Sequence, residues 1–394
     1  IYITSSTGTN LTSNSFNTTF GYPFYIAGNN VAHYDHSIDT TNTERGSPIY
    51  YHYGNNSGII NGLTDVGSLI VANATNMTIS SNILDKDGIL LLNTTTSLIY
   101  NNTITTNYSG IILEHSTSNQ NNVTWNTVTI GGASAYGVGL GDGADHNTIE
   151  NNIITTTGTG TEGIYIGVSN SGSDDNNITN NTIVTYGASY ATGIHIVDDS
   201  NRIMNNTVKA NVSPAIYIST GLSNYVSNNS FESNDTNVGV VYLDLNANLN
   251  TITQNNISGS SRGLGISRST DNLISLNSIN WSTGIEINTN SENNTIINNR
   301  IDGSSNQMWG SGAKNNSLVY NNTFGKINWT DSDIDTGMDL ILGETIFLLN
   351  NTVGIADDSG VQELNGSAQI EMKNLGHAYT PWLMKNGIRC DNET

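Results

Sequence analysis

The chain repeats a six-residue pattern in which two adjacent asparagines stand between apolar residues, as in residues 99–104 (Ile-Tyr-Asn-Asn-Thr-Ile). Successive copies follow at intervals of 20 to 29 residues. This periodicity indicates one supersecondary unit stacked many times, which is the sequence signature of a solenoid. The second asparagine of each copy forms a column made up of Asn82, Asn102, Asn126, Asn152, Asn181, Asn206, Asn229, Asn255, Asn277, Asn299 and Asn322.

A second pattern, Gly-apolar-x-apolar, lies between successive asparagine pairs, for example at residues 110–113 and 163–166. Alternation with a period of two in short, β-branched segments predicts strands rather than helices. Two or three such strands per unit predict an all-β fold, a right-handed parallel β-helix of roughly 11–15 coils. The column asparagines are expected to form a ladder in which each amide bonds to the coils above and below.

Insertions between these units collect at one corner of the predicted coil. From a column asparagine to the next pattern glycine the spacing varies from 6 to 12 residues, for example from Asn82 to Gly88 and from Asn181 to Gly193. In a repeat protein the corner that accepts insertions is often the binding edge.

The charge of the chain limits its partners. With 12 Lys and Arg against 33 Asp and Glu, the net charge is -21. This argues against nucleic acid and anionic membrane surfaces as partners, and the simplest interpretation is that the acidity maintains solubility. Cys390 is the single cysteine, so no internal disulfide framework is expected. No apolar run approaches the length of a membrane span, so no direct membrane insertion is expected. Because the chain opens at Ile1 without a signal core, we expect a mature or trimmed form.

Asn-x-Ser/Thr sequons occur along the whole chain, although chance accounts for many of them in a sequence this rich in these residues. In five copies of the repeat the sequon asparagine directly precedes the column asparagine, so it should point outward together with the hydroxyl residue two positions later. We therefore predict N-glycans along one corner of a secreted, extracellular rod. The predicted acceptors are Asn101, Asn180, Asn205, Asn228 and Asn321, followed by Asn73, Asn93, Asn122, Asn256, Asn293, Asn328 and Asn350.

Both ends of the chain resemble known proteins. Residues 30–82, with Gly-Ser-Pro-Ile-Tyr-Tyr at 46–51 and Gly-Ser-Leu-Ile-Val-Ala at 67–72, resemble the opening of NosD-like parallel β-helix proteins found among archaeal surface and secreted proteins. Residues 324–329, 364–370 and 381–387 are similar to the closing module of large archaeal cell-surface β-helix proteins. The resemblance implies a β-helix at an archaeal cell surface.

In similar closing modules a second cysteine follows shortly after the first, whereas this sequence stops four residues past Cys390. We expect the protein to continue beyond Thr394; a free thiol or a pairing between molecules are the alternatives.

Three regions are predicted: residues 1–48 as an N-terminal cap or strand-exchange segment, 49–322 as the β-helix, and 323–394 as a C-terminal β cap or small β module. The cap is expected because an open β-helix end is a bare strand edge. His33, Asp35 and His36 have loose metal-ligand spacing, and a capping or surface role is preferred for them.

The only cofactor suggested by the sequence is calcium. Asp331, Asp333 and Asp335 alternate as in a calcium loop. The segment lacks the glycine at the sixth and the glutamate at the twelfth position of such a loop, so a solvated turn is preferred.

Candidate chemistry is sparse. A polysaccharide hydrolase needs two carboxylates about 5 to 9.5 Å apart, and no two neighbouring outward positions of the Gly-apolar strands are acidic. We therefore expect no enzyme. Nearby loops carry acids that could converge, namely Asp142, Asp174, Asp175, Asp198 and Asp199.

One aromatic strip is predicted on the outer surface. Tyr165, His195 and Tyr217 fall on successive coils at outward positions. Sugar stacking is one interpretation of this strip, and an ordinary outward stack is the preferred one.

Two functional hypotheses follow. The first is a structural extracellular glycoprotein, a surface-layer or filament subunit whose rods join one another through their ends by strand addition. The alternative is a carbohydrate-binding or polysaccharide-cleaving protein that uses the aromatic strip with Asp142, Asp198 and Asp199. A metal-maturation role like that implied by the NosD resemblance would rest on His33, His36 and His52 and is least favoured.

Overall fold

A computed structural model describes residues 1–17, 24–28, 30–168, 172–259, 262–280, 283–288, 290–302, 308–310, 313–322, 324–334, 346–349, 352–355, 368–373, 384–385 and 388–389. Within these residues the secondary structure is short β-strands and one 3₁₀ helix, Val31–Tyr34. No helix in this part of the chain is long and apolar enough to cross a membrane.

The strand bounds follow the chain. The first strands are β1 (Tyr2–Thr4), β2 (Asn10–Leu11), β3 (Ser15–Phe16), β4 (Tyr25–Ala27), β5 (Ser37–Ile38), β6 (Thr43–Glu44), β7 (Ser47–Tyr53) and β8 (Ile59–Asn61). The central strands are β9 (Ser68–Ala72), β10 (Thr78–Ser80), β11 (Ile83–Leu84), β12 (Ile89–Leu92), β13 (Leu98–Tyr100), β14 (Thr103–Thr106), β15 (Ile111–Glu114), β16 (Asn122–Thr124), β17 (Thr127–Ile130), β18 (Tyr136–Gly141), β19 (Thr148–Glu150), β20 (Ile153–Thr156), β21 (Glu162–Val168), β22 (Asn177–Thr179), β23 (Thr182–Thr185), β24 (Ile194–Ile196), β25 (Arg202–Met204), β26 (Thr207–Ala210), β27 (Ile216–Ser219), β28 (Tyr225–Ser227), β29 (Ser230–Ser233), β30 (Val241–Asp244), β31 (Thr251–Thr253), β32 (Asn256–Gly259), β33 (Arg262–Ile266), β34 (Leu273–Ser275), β35 (Ser278–Asn280), β36 (Thr283–Ile287), β37 (Thr295–Ile297) and β38 (Arg300–Asp302). The last strands are β39 (Met308–Gly310), β40 (Ala313–Asn322), β41 (Gly325–Ile334), β42 (Ile346–Leu349), β43 (Thr352–Ile355), β44 (Ala368–Met372), β45 (Met384–Lys385) and β46 (Ile388–Arg389).

Three long sheets form the walls of the solenoid. Sheet A runs β3-β6-β7-β9 and then through every third strand to β39; sheet B runs from β8 through β10 and every third strand to β40, β41 and β44; sheet C runs from β11 to β38. Neighbouring strands from β7 to β39 in sheet A pair in parallel, so the chain visits each wall once per coil. The predicted parallel β-helix is therefore confirmed. Inward residues such as Ile154, Ile164 and Ile178 are fully buried in one apolar core that follows the axis.

The predicted asparagine ladder lies at the corner between sheets B and C. Asn82 Nδ2 and its backbone N–H both donate to Asn102 Oδ1, at 2.9 and 3.0 Å, while Asn102 Nδ2 donates to the Ile79 carbonyl at 2.9 Å. At each further step up to Asn299, the backbone N–H of one ladder asparagine donates to Oδ1 of the next. Asn322 ends β40 opposite Gly325 of the antiparallel strand β41, and its side chain lies outside the described structure, so its place in the ladder stays a prediction.

A second asparagine ladder, which the sequence analysis missed, occupies the corner between sheets A and B. Each member from Asn121 to Asn294 donates its backbone N–H to the Oδ1 of the next member, for example Asn176 to Asn201 at 2.9 Å. The signal was an asparagine five residues before each member of the first ladder from Asn126 to Asn299. The members are Asn121, Asn147, Asn176, Asn201, Asn224, Asn250, Asn272, Asn294 and Asn316.

The first asparagine of each pair has a different role. Asn101, Asn180, Asn205 and Asn228 have φ values of 53, 56, 57 and 56°. Asparagine tolerates this left-handed region better than most residues. The doubled asparagine therefore combines a backbone requirement at its first position with a hydrogen-bonding requirement at its second.

The N-terminal segment covers the outer face of sheet A as well as its edge. Strands β1 and β4 pair in parallel, and β6 pairs antiparallel with β7. Phe24 and Ile26 pack with the outward side chains Ile70 and Leu92 in a second apolar cluster. The segment expected to cap the end of the solenoid therefore mainly covers its side. The edge of sheet B stays open, because β8 pairs only with β10 in the described structure and Ile59 is 74% exposed.

The C-terminal strands change direction. β41 pairs antiparallel with both β40 and β44, which ends the coil repeat. Asp331 and Asp333 lie within the extended strand β41, where the sequence favours a solvated turn. Asp335, Asn350 and Cys390 lie outside the described residues.

Candidate functional site

The outward positions of sheet A carry a column of rings. Parallel register places Tyr165 beside His195, His195 beside Tyr217, and Tyr217 beside Tyr242. Tyr136 adds a fifth ring next to Tyr165. The column, defined as Tyr136, Tyr165, His195, Tyr217 and Tyr242, is longer than the predicted strip. The Tyr242 segment lacks the regular Gly-apolar-x-apolar spacing, which is why pattern reasoning missed it.

The rings of the column stack on one another. Successive centroids lie 5.0, 4.8, 4.8 and 5.5 Å apart, with interplanar angles of 32, 33, 18 and 22°. Sugar stacking requires a ring face that is open to solvent. Here the faces lie against neighbouring rings, so the geometry favours the outward-stack interpretation of Tyr165, His195 and Tyr217.

The polar edge of the column is hydrogen bonded across coils. His195 Nδ1 lies 2.7 Å from Glu162 Oε1, and His195 Nε2 lies 2.9 Å from Ser219 Oγ. All three residues are largely buried, with Ser219 7% exposed and the side chains of His195 and Glu162 17 and 12% exposed. This contact could not be predicted from the repeat pattern, because Glu162 stands three positions before Tyr165, outside the outward positions that the pattern marks.

Ionic contacts continue the polar edge toward the C-terminal coils. Arg268 Nε and Nη2 donate to the two oxygens of Asp244 at 2.9 and 2.7 Å. One coil on, Arg262 Nε lies 2.9 Å from Glu286 Oε2. Burial and the Asp244 charge raise the pKa of Tyr217 to about 12, so its phenol stays protonated at neutral pH.

The acidic loop residues lie on adjacent coils but act largely as backbone acceptors. Asp145 Oδ1 accepts the Asp174 N–H at 3.0 Å, Asp174 Oδ1 accepts the Asp199 N–H at 2.9 Å, and Asp199 Oδ1 accepts the Leu222 N–H at 2.7 Å. These carboxylates form a third ladder and stabilise the turn.

Asp198, which the sequence analysis considered for catalysis, has a similar role. Its Oδ2 accepts the Ser173 N–H at 2.8 Å. Burial and neighbouring carboxylates raise its pKa to about 6. Asp142 has a left-handed φ of 52°, and the Asp175 carboxylate lies 3.8 Å from His146 Nε2.

A groove of about 580 Å³ opens at the corner where insertions collect. Loops before β24, β27 and β30 supply its walls, and Tyr217 and Tyr242 supply one side. Tyr190 at its rim is 83% exposed and therefore presents an open aromatic surface. Asp235 and Asn237 add polar groups to the lining.

The profile of the family described as "Right handed beta helix region" matches residues 118–261 and 162–324. The chain belongs to the right-handed β-helix family. A comparison with curated proteins gives no match.

Some solved structures are similar to this chain at low identity. DFA-IIIase from Arthrobacter chlorophenolicus A6 without its lid, in complex with GF2, is 12% identical with a TM-score of 0.38, over 61% of this chain and 59% of that one. DFA-IIIase from the same organism in complex with GF2 is 14% identical with a TM-score of 0.40, over 65% of this chain and 69% of that one. PfbA, a surface adhesin of Streptococcus pneumoniae, is 12% identical with a TM-score of 0.41, over 73% of this chain and 89% of that one. This chain thus spans about three fifths of the length of the first structure.

The right-handed β-helix places most of the predicted glycan acceptors in accessible positions. Asn101, Asn180, Asn205, Asn228, Asn256 and Asn293 are exposed, and Asn73, Asn122 and Asn328 are half-buried. Asn93 does not fit the predicted role of glycan acceptor, because it is only 8% exposed and its Nδ2 donates to Asn73 Oδ1 at 2.9 Å. The side chain of Asn321 is outside the described structure, as is Asn350.

The histidines considered for a metal site have other roles. His36 Nδ1 accepts the Thr9 N–H at 3.3 Å, and burial lowers the pKa values of His36 and His52. Among the described residues no group of three or more His, Cys, Asp or Glu side chains is placed to hold a metal ion.

Proposed function

We propose that this right-handed β-helix protein is a structural extracellular glycoprotein of an archaeal cell surface. The observation that carries the proposal is the corner formed by Asn101, Asn180, Asn205 and Asn228. All four are exposed, as are the sequon hydroxyl residues that follow them, Thr103, Thr182, Thr207 and Ser230. A glycosyltransferase needs this accessibility of both parts of the sequon.

The spacing of these acceptors makes the proposal testable. Asn180, Asn205 and Asn228 follow β22, β25 and β28, which are consecutive strands of sheet B. Their backbones stand about 4.8 Å apart. Glycopeptide mapping of native material should find glycans at this corner and none at Asn93. Bare asparagines at all four corner positions would refute the glycoprotein proposal.

Assembly through the rod ends is part of the same proposal. The edge of β8 and the exposed side chain of Ile59 offer a place where a strand of another copy could pair. Electron microscopy of native material should then show filaments or lattices. Substituting Ile59→Lys should disperse them, whereas the matched change Ile153→Lys, at a 53% exposed position away from the ends, should not. Dispersed rods from the unaltered protein would contradict the assembly.

A second candidate function is carbohydrate recognition in the corner groove, favoured by the 83% exposure of Tyr190 at its rim. An open aromatic face beside hydrogen-bonding groups suits a sugar ring. On a glycan array, a binding signal should fall at least tenfold in Tyr190→Ala. The control Tyr186→Ala changes a tyrosine that is 57% exposed and does not line the groove. Equal binding by both variants would exclude the groove as the sugar-binding site.

A further inference from the structure

Glu162, His195 and Ser219 form a linear hydrogen-bonded chain across three consecutive coils. The distances are 2.7 Å from Glu162 Oε1 to His195 Nδ1 and 2.9 Å from His195 Nε2 to Ser219 Oγ. Both fall within the 2.6–3.2 Å range expected between a nucleophile, its base and the group that orients the base. We propose that Ser219, His195 and Glu162 are the nucleophile, general base and orienting acid of a serine hydrolase centre that cleaves short-chain carboxylic esters.

The protonation pattern follows from the partners. An ionised Glu162 carboxylate can only accept, so His195 must carry its proton on Nδ1. The lone pair of Nε2 then faces Ser219, whose hydroxyl donates to it. This is the tautomer that a histidine needs in order to withdraw the serine proton.

The orientation of His195 is fixed on both faces. Its centroid lies 4.8 Å from those of Tyr165 and Tyr217, on the preceding and following coils. Stacking alone would be satisfied by any rotation of the ring within its plane. Both nitrogens are nevertheless directed at side chains of adjacent coils, and the strands that hold these side chains are rigid elements of sheet A.

A donor for the developing oxyanion stands beside the nucleophile. Tyr217 stands two residues before Ser219 on β27, and burial and the Asp244 charge keep its phenol protonated at neutral pH. Tyrosine hydroxyls serve as oxyanion donors in acyl transfer. Tyr217 also lines the corner groove, so an ester carried by a polar molecule in that groove would have its acyl group next to Ser219. Because Ser219 is only 7% exposed, the acyl group must be small, such as acetyl.

The reaction balances with water as the only co-reactant. Ser219 Oγ bonds to the ester carbonyl carbon while its proton passes to His195 Nε2. The ester C–O bond then breaks, and the same proton leaves with the alcohol. Water attacks the acyl-serine, gives its proton to Nε2, and releases the carboxylic acid as Ser219 regains a proton.

The test begins with the unaltered full chain, so it does not depend on any variant folding. A fluorophosphonate probe followed by peptide mass spectrometry should label Ser219, and p-nitrophenyl acetate should be hydrolysed. Absence of label on Ser219 overturns the proposal.

Variants then separate a catalytic from a structural role. Ser219→Ala should abolish hydrolysis, and His195→Asn should abolish both hydrolysis and labelling. Glu162→Gln should lower the rate by about 10³-fold or more, with an altered pH profile, because the histidine tautomer is no longer fixed. The control Ser275→Ala removes an equally buried serine of sheet B, which is 8% exposed, and should keep full activity. Labelling of Ser219 that persists in His195→Asn also overturns the proposal, whatever the outcome for glycans or groove binding.

Discussion

The asparagine ladder predicts a large, local loss of stability in Asn206→Leu. Asn206 is 1% exposed, and its Oδ1 accepts the Asn181 N–H at 2.9 Å. Its Nδ2 donates to the Ile178 carbonyl at 2.9 Å. Leucine has a similar volume but no polar atom, so it leaves these two buried backbone groups without their partners. At about 1–3 kcal/mol for each buried unsatisfied group, the free energy of unfolding should fall by about 2–6 kcal/mol.

The loss should be confined to a few coils, because a solenoid is stabilised mainly by contacts between nearest neighbours. Denaturant unfolding measures its size, and amide hydrogen exchange shows whether protection is lost near β22, β25 and β28. The matched control is Asn205→Gly, which changes the exposed neighbour and keeps its left-handed backbone accessible. If Asn206→Leu stays within about 0.5 kcal/mol of this control, the ladder does not stabilise the fold as argued.

Two further predictions concern backbone strain and pH. Trp125 is 59% exposed and has a φ of 57°, so Trp125→Gly should raise the melting temperature by relieving about 1 kcal/mol of strain, and a lower melting temperature would contradict this. Beneath the N-terminal segment, burial and the Glu44 charge raise the pKa of Asp87 to about 8, and burial raises that of Glu114 to about 7. Because both pKa values are raised in the folded protein, the two carboxyl groups favour the folded state when they are protonated. This contribution to the free energy of unfolding is complete below about pH 4 and is lost as the pH rises through 7 and 8. Limited proteolysis of residues 1–44 should therefore be faster at pH 9 than at pH 5, and Asp87→Asn with Glu114→Gln should reduce this difference; an unchanged or reversed difference would refute the assignment.

The fold could be predicted because its main determinants are periodic. The asparagine pairs recur in phase with the coils, and the ladder bonds of Asn102 or Asn181 follow from that phase. The second ladder was visible in the sequence at Asn147 and Asn176, but single asparagines in an asparagine-rich chain attract no notice.

The placement of the N-terminal segment depended on a non-periodic signal. Outward positions of the first coils are apolar, as at Ile70, Leu90 and Ile112, whereas later coils carry rings at the same position. An apolar outward column on a soluble solenoid implies a cover. The Tyr25 hydroxyl, which donates to Glu114 Oε2 at 3.1 Å, could not be inferred, because it joins residues 89 positions apart through side-chain reach alone.

The outward column of sheet A shows how one backbone frame supports different chemistry along its length. Ladders and core fix the spacing of every coil, so a change at an outward position alters the surface without disturbing the fold. Gly265 marks the end of the rings: a Cβ there would stand 2.9 Å from Cδ2 of Tyr242 and 2.6 Å from the Val238 carbonyl. The ring of Tyr242 thus occupies the space that glycine leaves open. The Glu162–His195–Ser219 chain lies inside the segment of stacked rings, where a polar group can be held at a fixed height between two neighbours. The stacked rings therefore determine the height along the solenoid at which this hydrogen-bonded chain lies.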